Sequence, residues 1–76
     1  MTLIRRKEFG EITVEFYGQG RASLLKGEVW ETYVQDADGD LVFDTTTDTA
    51  SDLWSELTPE ERRETTRIAR EYLPSA

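Results

Sequence analysis

The sequence contains no cysteine and no histidine. Without cysteine there is no disulfide, no thiolate nucleophile and no thiolate metal ligand, and the composition suits a reducing compartment. Without histidine, the commonest general base and the commonest metal ligand are also missing. Lysine is scarce, at Lys7 and Lys26 only. No apolar run approaches the roughly 20 residues needed to span a bilayer. Met1-Thr2-Leu3-Ile4 passes straight into Arg5-Arg6-Lys7 without the apolar stretch of a signal peptide. A soluble, cytoplasmic protein with no membrane partner is expected.

Seventy-six residues fit one domain, spanning 1–76. With 37% hydrophobic residues, the core is small and leaves little room for a deep pocket. Chains this short are marginal unless a disulfide, a metal or a partner adds stability. Paired carboxylates could serve as acid and base, but that work needs a cleft to raise one of their pKa values. Neither an enzyme nor a bound cofactor or metal is expected.

What is present is acid, and it is unevenly placed. Residues 1–27 set five basic groups against three acids, and residues 59–76 balance four arginines with four acids. Residues 28–58 hold nine acids and no lysine or arginine: Glu28, Glu31, Asp36, Asp38, Asp40, Asp44, Asp48, Asp52 and Glu56. Like charges gathered in a folded domain repel. A disordered tail would avoid that cost, but Trp30, Tyr33, Phe43 and Trp54 in the same stretch mark folded structure.

The elements follow from periodicity and punctuation. Glu11 to Tyr17 alternates, putting Ile12, Val14 and Phe16 on one strand face. Thr2 to Lys7 can pair with it through Glu8-Phe9-Gly10, and Arg5-Arg6-Lys7 reads as charge protecting an edge strand. Gly18-Gln19-Gly20 is a turn, and Ala22 to Gly27 is either a short strand or an irregular connection. Glu28–Gln35 and Asp40–Thr45 form a hairpin around Asp36-Ala37-Asp38-Gly39.

Loop length decides which side chains of that hairpin share a face. A two- or four-residue loop places Trp30, Thr32 and Val34 with Leu41 and Phe43. A three-residue loop mixes Val34 with Val42 and sets Asp44 beside Thr32. The first gathers the apolar groups and is expected, with Trp30, Phe43 and Trp54 sharing a core. Glu31, Tyr33, Gln35, Asp40, Val42 and Asp44 then face outward.

Thr45 to Asp48 offers N-caps for a short helix through about Leu57, with Ala50, Leu53, Trp54 and Leu57 as its apolar stripe. Thr58, Pro59 and Glu61 form the cap, first position and capping box of a second helix ending at about Leu73, before Pro74. Its inward positions are Thr65, Ile68, Ala69, Tyr72 and Leu73. The fold class is α+β: an antiparallel sheet of four to five strands followed by two C-terminal helices packed on one face.

Three charge patterns remain. Asp36-Ala37-Asp38-Gly39-Asp40 echoes part of a calcium-binding EF-hand loop, but Val34 and Thr45 stand where both anchoring carboxylates belong. A plain hairpin turn is expected. Arg62, Arg63, Arg67 and Arg70 interleave with Glu60, Glu61, Glu64 and Glu71 at helical pair spacings, as on a solvated helix face. A pI near 4.4 disfavours direct nucleic-acid binding.

The acidic block is the third pattern. Asp48, Asp52 and Glu56 recur at i, i+4, i+8, about 6 Å apart on a helix. Glu31, Asp40 and Asp44 flank Tyr33 and Val42, and Glu11 and Glu15 flank Tyr17. Such spacing approximates the phosphates of a nucleic-acid strand, about 3.4 Å apart along its axis. The candidate partner-binding residues are Glu28, Glu31, Tyr33, Asp36, Asp38, Asp40, Asp44, Asp48, Asp52 and Glu56. Charge reversal at Glu31, Asp44, Asp48 and Asp52 is expected to spare the fold.

In its size, its acidity, its lack of cysteine and histidine and its strands-then-helices order, the chain resembles small phage-encoded anti-defence proteins, including anti-CRISPR inhibitors that imitate DNA. The likeness covers the whole chain but rests on the charge pattern of Glu28 to Glu56, not on a shared motif. It implies an inhibitor, acting in the host cytoplasm, that occupies the basic DNA-binding groove of a CRISPR effector or other DNA-handling complex. The alternatives are a generic acidic adaptor domain, suited to a high-salt cell, and a module that binds calcium weakly.

Overall fold

Alternation along β1 (Leu3–Phe9) and β2 (Ile12–Tyr17) makes a hairpin, closed by the two residues between Phe9 and Ile12. β3 (Arg21–Lys26), β4 (Val29–Gln35) and β5 (Leu41–Phe43) follow, each antiparallel to its predecessor. Together they form a five-stranded sheet in the order β1-β2-β3-β4-β5. Two helices follow among the described residues, α1 (Leu53–Glu56) and α2 (Pro59–Tyr72). The structure is a computed structural model, and it describes residues 2–44 and 53–72. The expected α+β architecture is the one observed, and the ambiguous segment from Ala22 is a regular strand as far as Lys26, with Gly27 in the turn that follows. The charged run Arg5-Arg6-Lys7 lies on β1, an edge of the sheet.

One face of the sheet is sealed by the helices. Val14, Phe16, Leu24 and Ile68 are fully buried there, joined by Ile12, Ala22, Leu53, Leu57 and Ala69. Each of these valine, leucine, isoleucine and phenylalanine side chains contributes about 1.5–3 kcal/mol on burial. α2 begins as expected: the Thr58 hydroxyl accepts from the Glu61 amide at 3.1 Å, and the Thr58 amide donates to the Glu61 carboxylate at 2.9 Å. Thr65, Ile68 and Ala69 are its inward stripe, and the Thr65 hydroxyl is satisfied by the Glu61 carbonyl at 2.8 Å. The expected inward side chains of Tyr72 and Leu73, and the proposed start of the first helix at 45–52, lie outside the described residues.

The facing of β4 is the opposite of the expected one. The Asp36 amide donates to the Asp40 carbonyl at 2.8 Å, and the Gly39 amide donates to the Asp36 carbonyl at 3.0 Å. This encloses three residues, 37–39, and Gly39 adopts a φ of 85°, as a type I turn followed by a left-handed residue requires. Tyr33 therefore pairs with Phe43, and Val34 with Val42. On the other side of β4, Lys26 pairs with Val29 across Gly27-Glu28, so Leu24 stands opposite Glu31.

Both neighbours thus place Glu31 and Tyr33 on the helix side and Trp30 on the other. Tyr33 takes the core position expected of Trp30: its ring meets Phe43 edge-on at 5.6 Å and Trp54 at 5.8 Å. Phe43 and Trp54 do pack against the core. Trp30 is 62% exposed.

Candidate interaction surface

The ten residues of the acidic candidate surface do not form one face. Glu31, 4% exposed, lies under the helices. Its Oε1 accepts hydrogen bonds from the Leu53 backbone amide at 3.2 Å and from the Tyr33 hydroxyl at 3.3 Å. An orphan amide at a helix start needs an acceptor, and a carboxylate suits the positive end of the helix. Tyr33, 2% exposed, belongs to the core. Asp44 is also buried, with the Arg21 guanidinium 3.7 Å away. The expected outward facing of Glu31 and Tyr33 is corrected, and Asp44, which lies on the side of Thr32 and Arg21 as expected, is buried there and not exposed. Charge reversal at Glu31 or Asp44 would strike the fold itself.

Others in the set are exposed but occupied. Asp36 Oδ1 accepts from the amides of Asp38 at 2.9 Å and Asp40 at 3.0 Å, which is turn scaffolding. Asp40 holds Arg70 of α2 at 2.6 Å, and Glu56 holds Lys26 of β3 at 2.7 Å. Lys26 also lies 3.9 Å from Glu11, and its pKa is raised, first by the hydrogen bond to Glu56 and then by that carboxylate's charge. The acid-only segment thus receives counter-charges from the basic parts of the chain on either side of it. Glu28 and Asp38 stand exposed. Asp48 and Asp52 lie outside the described residues. Among the described residues, no group of three or more acids gathers in a way that could hold a metal ion.

The surface that sequence reasoning missed is the sheet face away from the helices. Paired residues share a face, so two cross-strand rows lie there. One is Glu8, Thr13, Leu25 and Trp30; the other is Leu3, Tyr17, Arg21, Val34 and Val42. Between them runs a polar row of Arg6, Glu15, Ser23 and Thr32. Leu3, Trp30 and Val42 are strongly exposed, and Val29 is bare at the β3–β4 turn. Both described helices lie on the opposite side of the sheet. Glu15 accepts a hydrogen bond from the Tyr17 hydroxyl at 2.7 Å on this outer face. That bond, ahead of burial and the carboxylate's charge, raises the Tyr17 pKa.

A usable signal for this face was present. Asp at the first and Gly at the fourth position of 36–39 is the preference of a type I turn, which selects the three-residue loop. No family model, curated protein or solved structure matches the chain.

Proposed function

We propose that this protein is a non-catalytic binding module that docks a protein partner on the outer face of its sheet, with Trp30 as the anchor. The observation that carries the reading is the exposure of Trp30 on a strand whose opposite face is sealed. Trp30 stands beside Leu25, and Val34 and Val42 lie along the same surface. Interfaces concentrate their energy in such aromatic anchors, and burying a large apolar side chain is worth about 2–3 kcal/mol. Glu8 in the Trp30 row and exposed Glu28 at the neighbouring turn, on a protein of net charge −7, favour a partner whose contact surface is basic. The lack of histidine and cysteine supports a role without chemistry.

Imitation of nucleic acid is the narrower form of this proposal. It draws on the net charge, with Glu28 and Asp38 as exposed members of the original set. With Glu31, Tyr33 and Asp44 inside the fold, a mimic would have to recruit Glu8, Glu11 and Glu15 instead.

The deciding experiment places a photo-crosslinking side chain at position 30 and at position 63, on α2, in cells that express the protein. A protein captured from position 30 alone, and lost with Val42→Asp at unchanged Tm, supports docking on this face. Equal capture from both positions overturns it. Displacement of the captured partner by duplex DNA distinguishes the mimic from a general binder.

A further inference from the structure

A groove of about 710 Å³ runs along α2, and docking on the outer sheet face makes no use of it. Its walls are Trp54, Pro59, Arg62, Arg63, Arg67 and Arg70. On the helix these positions follow i, i+3, i+4, i+8 and i+11 from Pro59, a stripe distinct from the inward Thr65, Ile68 and Ala69. Four arginines therefore share one surface in a protein of sixteen acids and nine bases.

Two of the four are already engaged. Arg67 is clasped by Glu64 at 2.7 Å and Glu71 at 2.8 Å, and Arg70 by Asp40 at 2.6 Å. Arg62 and Arg63 have no carboxylate within ion-pair distance among the described residues. Like charges four apart on a helix repel, as Arg63 and Arg67 do here, and an anion in the groove would relieve that. Arg63 is exposed and Arg62 half-buried, so their guanidinium forks are available for the paired hydrogen bonds that phosphate accepts.

The opposite wall is flat and apolar. Trp54 is half-buried and tilted against Tyr33, and the aliphatic stems of the arginines extend the surface it offers. A groove of this size falls in the usual range for small ligands, roughly 300–1,000 Å³. Glu64 and Glu71 flank the arginine stripe, so an extended polyanion would meet carboxylates as soon as it left the groove. A compact anion would not.

We propose that this groove binds a small phosphate ester carried on a flat ring, with a nucleoside monophosphate as the simplest example. Arg62 and Arg63 take the phosphate, and the ring lies on Trp54. The site is separate from the outer sheet face, so either can fail without the other.

Trp30→Phe leaves Trp54 as the sole tryptophan and makes its fluorescence a direct reporter. Titration with adenosine monophosphate should change that signal saturably and at least tenfold more tightly than adenosine or inorganic phosphate alone. Arg62→Ala with Arg63→Ala should weaken binding at least tenfold at unchanged Tm. The proposal is overturned if the nucleotide gives no saturable change, if adenosine or inorganic phosphate binds equally well, or if binding survives the double substitution.

Discussion

The buried Glu31 carboxylate accepts a hydrogen bond from the backbone amide of Leu53 at 3.2 Å, fastening β4 to the first residue of α1. An acid of the acid-only segment is thus a structural cap in the interior. The same oxygen takes the Tyr33 hydroxyl, so one carboxylate ties β4 both to the helix and to its own core aromatic.

Glu31→Ala should lower stability by about 1–3 kcal/mol, because the Leu53 amide and Tyr33 hydroxyl lose their acceptor in a buried site. In a domain of this size, each kcal/mol corresponds to roughly 4–8 °C in Tm. Glu31→Lys should cost more, since it places an uncompensated cation where the carboxylate was. Thermal melts followed by circular dichroism check both. A Glu31→Lys protein melting like the wild type would return this residue to the surface.

Asp36 and Asp38 separate a turn from a metal loop. Asp36→Ala removes an acceptor from two backbone amides and should cost about 1 kcal/mol, whereas exposed Asp38→Ala should leave Tm unchanged. Melts repeated with micromolar calcium should coincide with those without it. A rise of several degrees in calcium, lost in both variants, would make the loop a cation site.

Gly39→Ala should destabilise the β4–β5 hairpin. A φ of 85° costs a residue with a side chain about 1–2 kcal/mol, and the added Cβ would meet Arg70 Cγ at 3.3 Å. Because Arg70 also holds Asp40, the turn and the end of α2 should loosen together. Amide exchange should therefore quicken at residues 36–40 and at 68–71 in this variant alone.

Tyr17 should ionise later than a free tyrosine. Its hydroxyl donates to Glu15, which raises its pKa above the ordinary value of 10.0. The bond adds stability below that pH and loses it as the pH climbs through the folded-state value. Phenolate absorbance, with Tyr17→Phe as the subtraction, reads the titration directly. Glu15→Gln should move it back toward 10.0, and an unmoved curve would mean that the hydrogen bond does not persist in solution.

Acid titration tests α2 in the opposite direction. Glu64 has a lowered pKa, caused first by its hydrogen bond to Arg67. Its contribution is present above the ordinary value of 4.5 and fades as the pH falls through the lower folded-state value. Arg67→Gln should raise the Glu64 pKa, as read by carboxyl chemical shifts.

Much of the fold was legible because its signals are local. Alternation in Ile12, Val14 and Phe16, the reciprocal cap of Thr58 and Glu61, and the stripe of Thr65, Ile68 and Ala69 each need only a few neighbouring residues to take effect. The two faces of β4 were not legible in that way. Side chains alternate with a period of two, so one residue more or less in the 36–40 turn exchanges Trp30 with Glu31. Apolar content argued for Trp30 inside. The pairings of β4 with β3 and β5, together with the bonds open to a buried carboxylate at the start of α1, favoured Glu31. Nor could the sequence pair the acids with their partners: Lys26 with Glu56 and Asp40 with Arg70 are each thirty residues apart. The sequence alone determined where the strands turn and how the last helix begins. Tertiary structure decided which acids reach water and left Trp30 on the outside, because facing and counter-charge depend on strands and helices that meet only once the chain has folded.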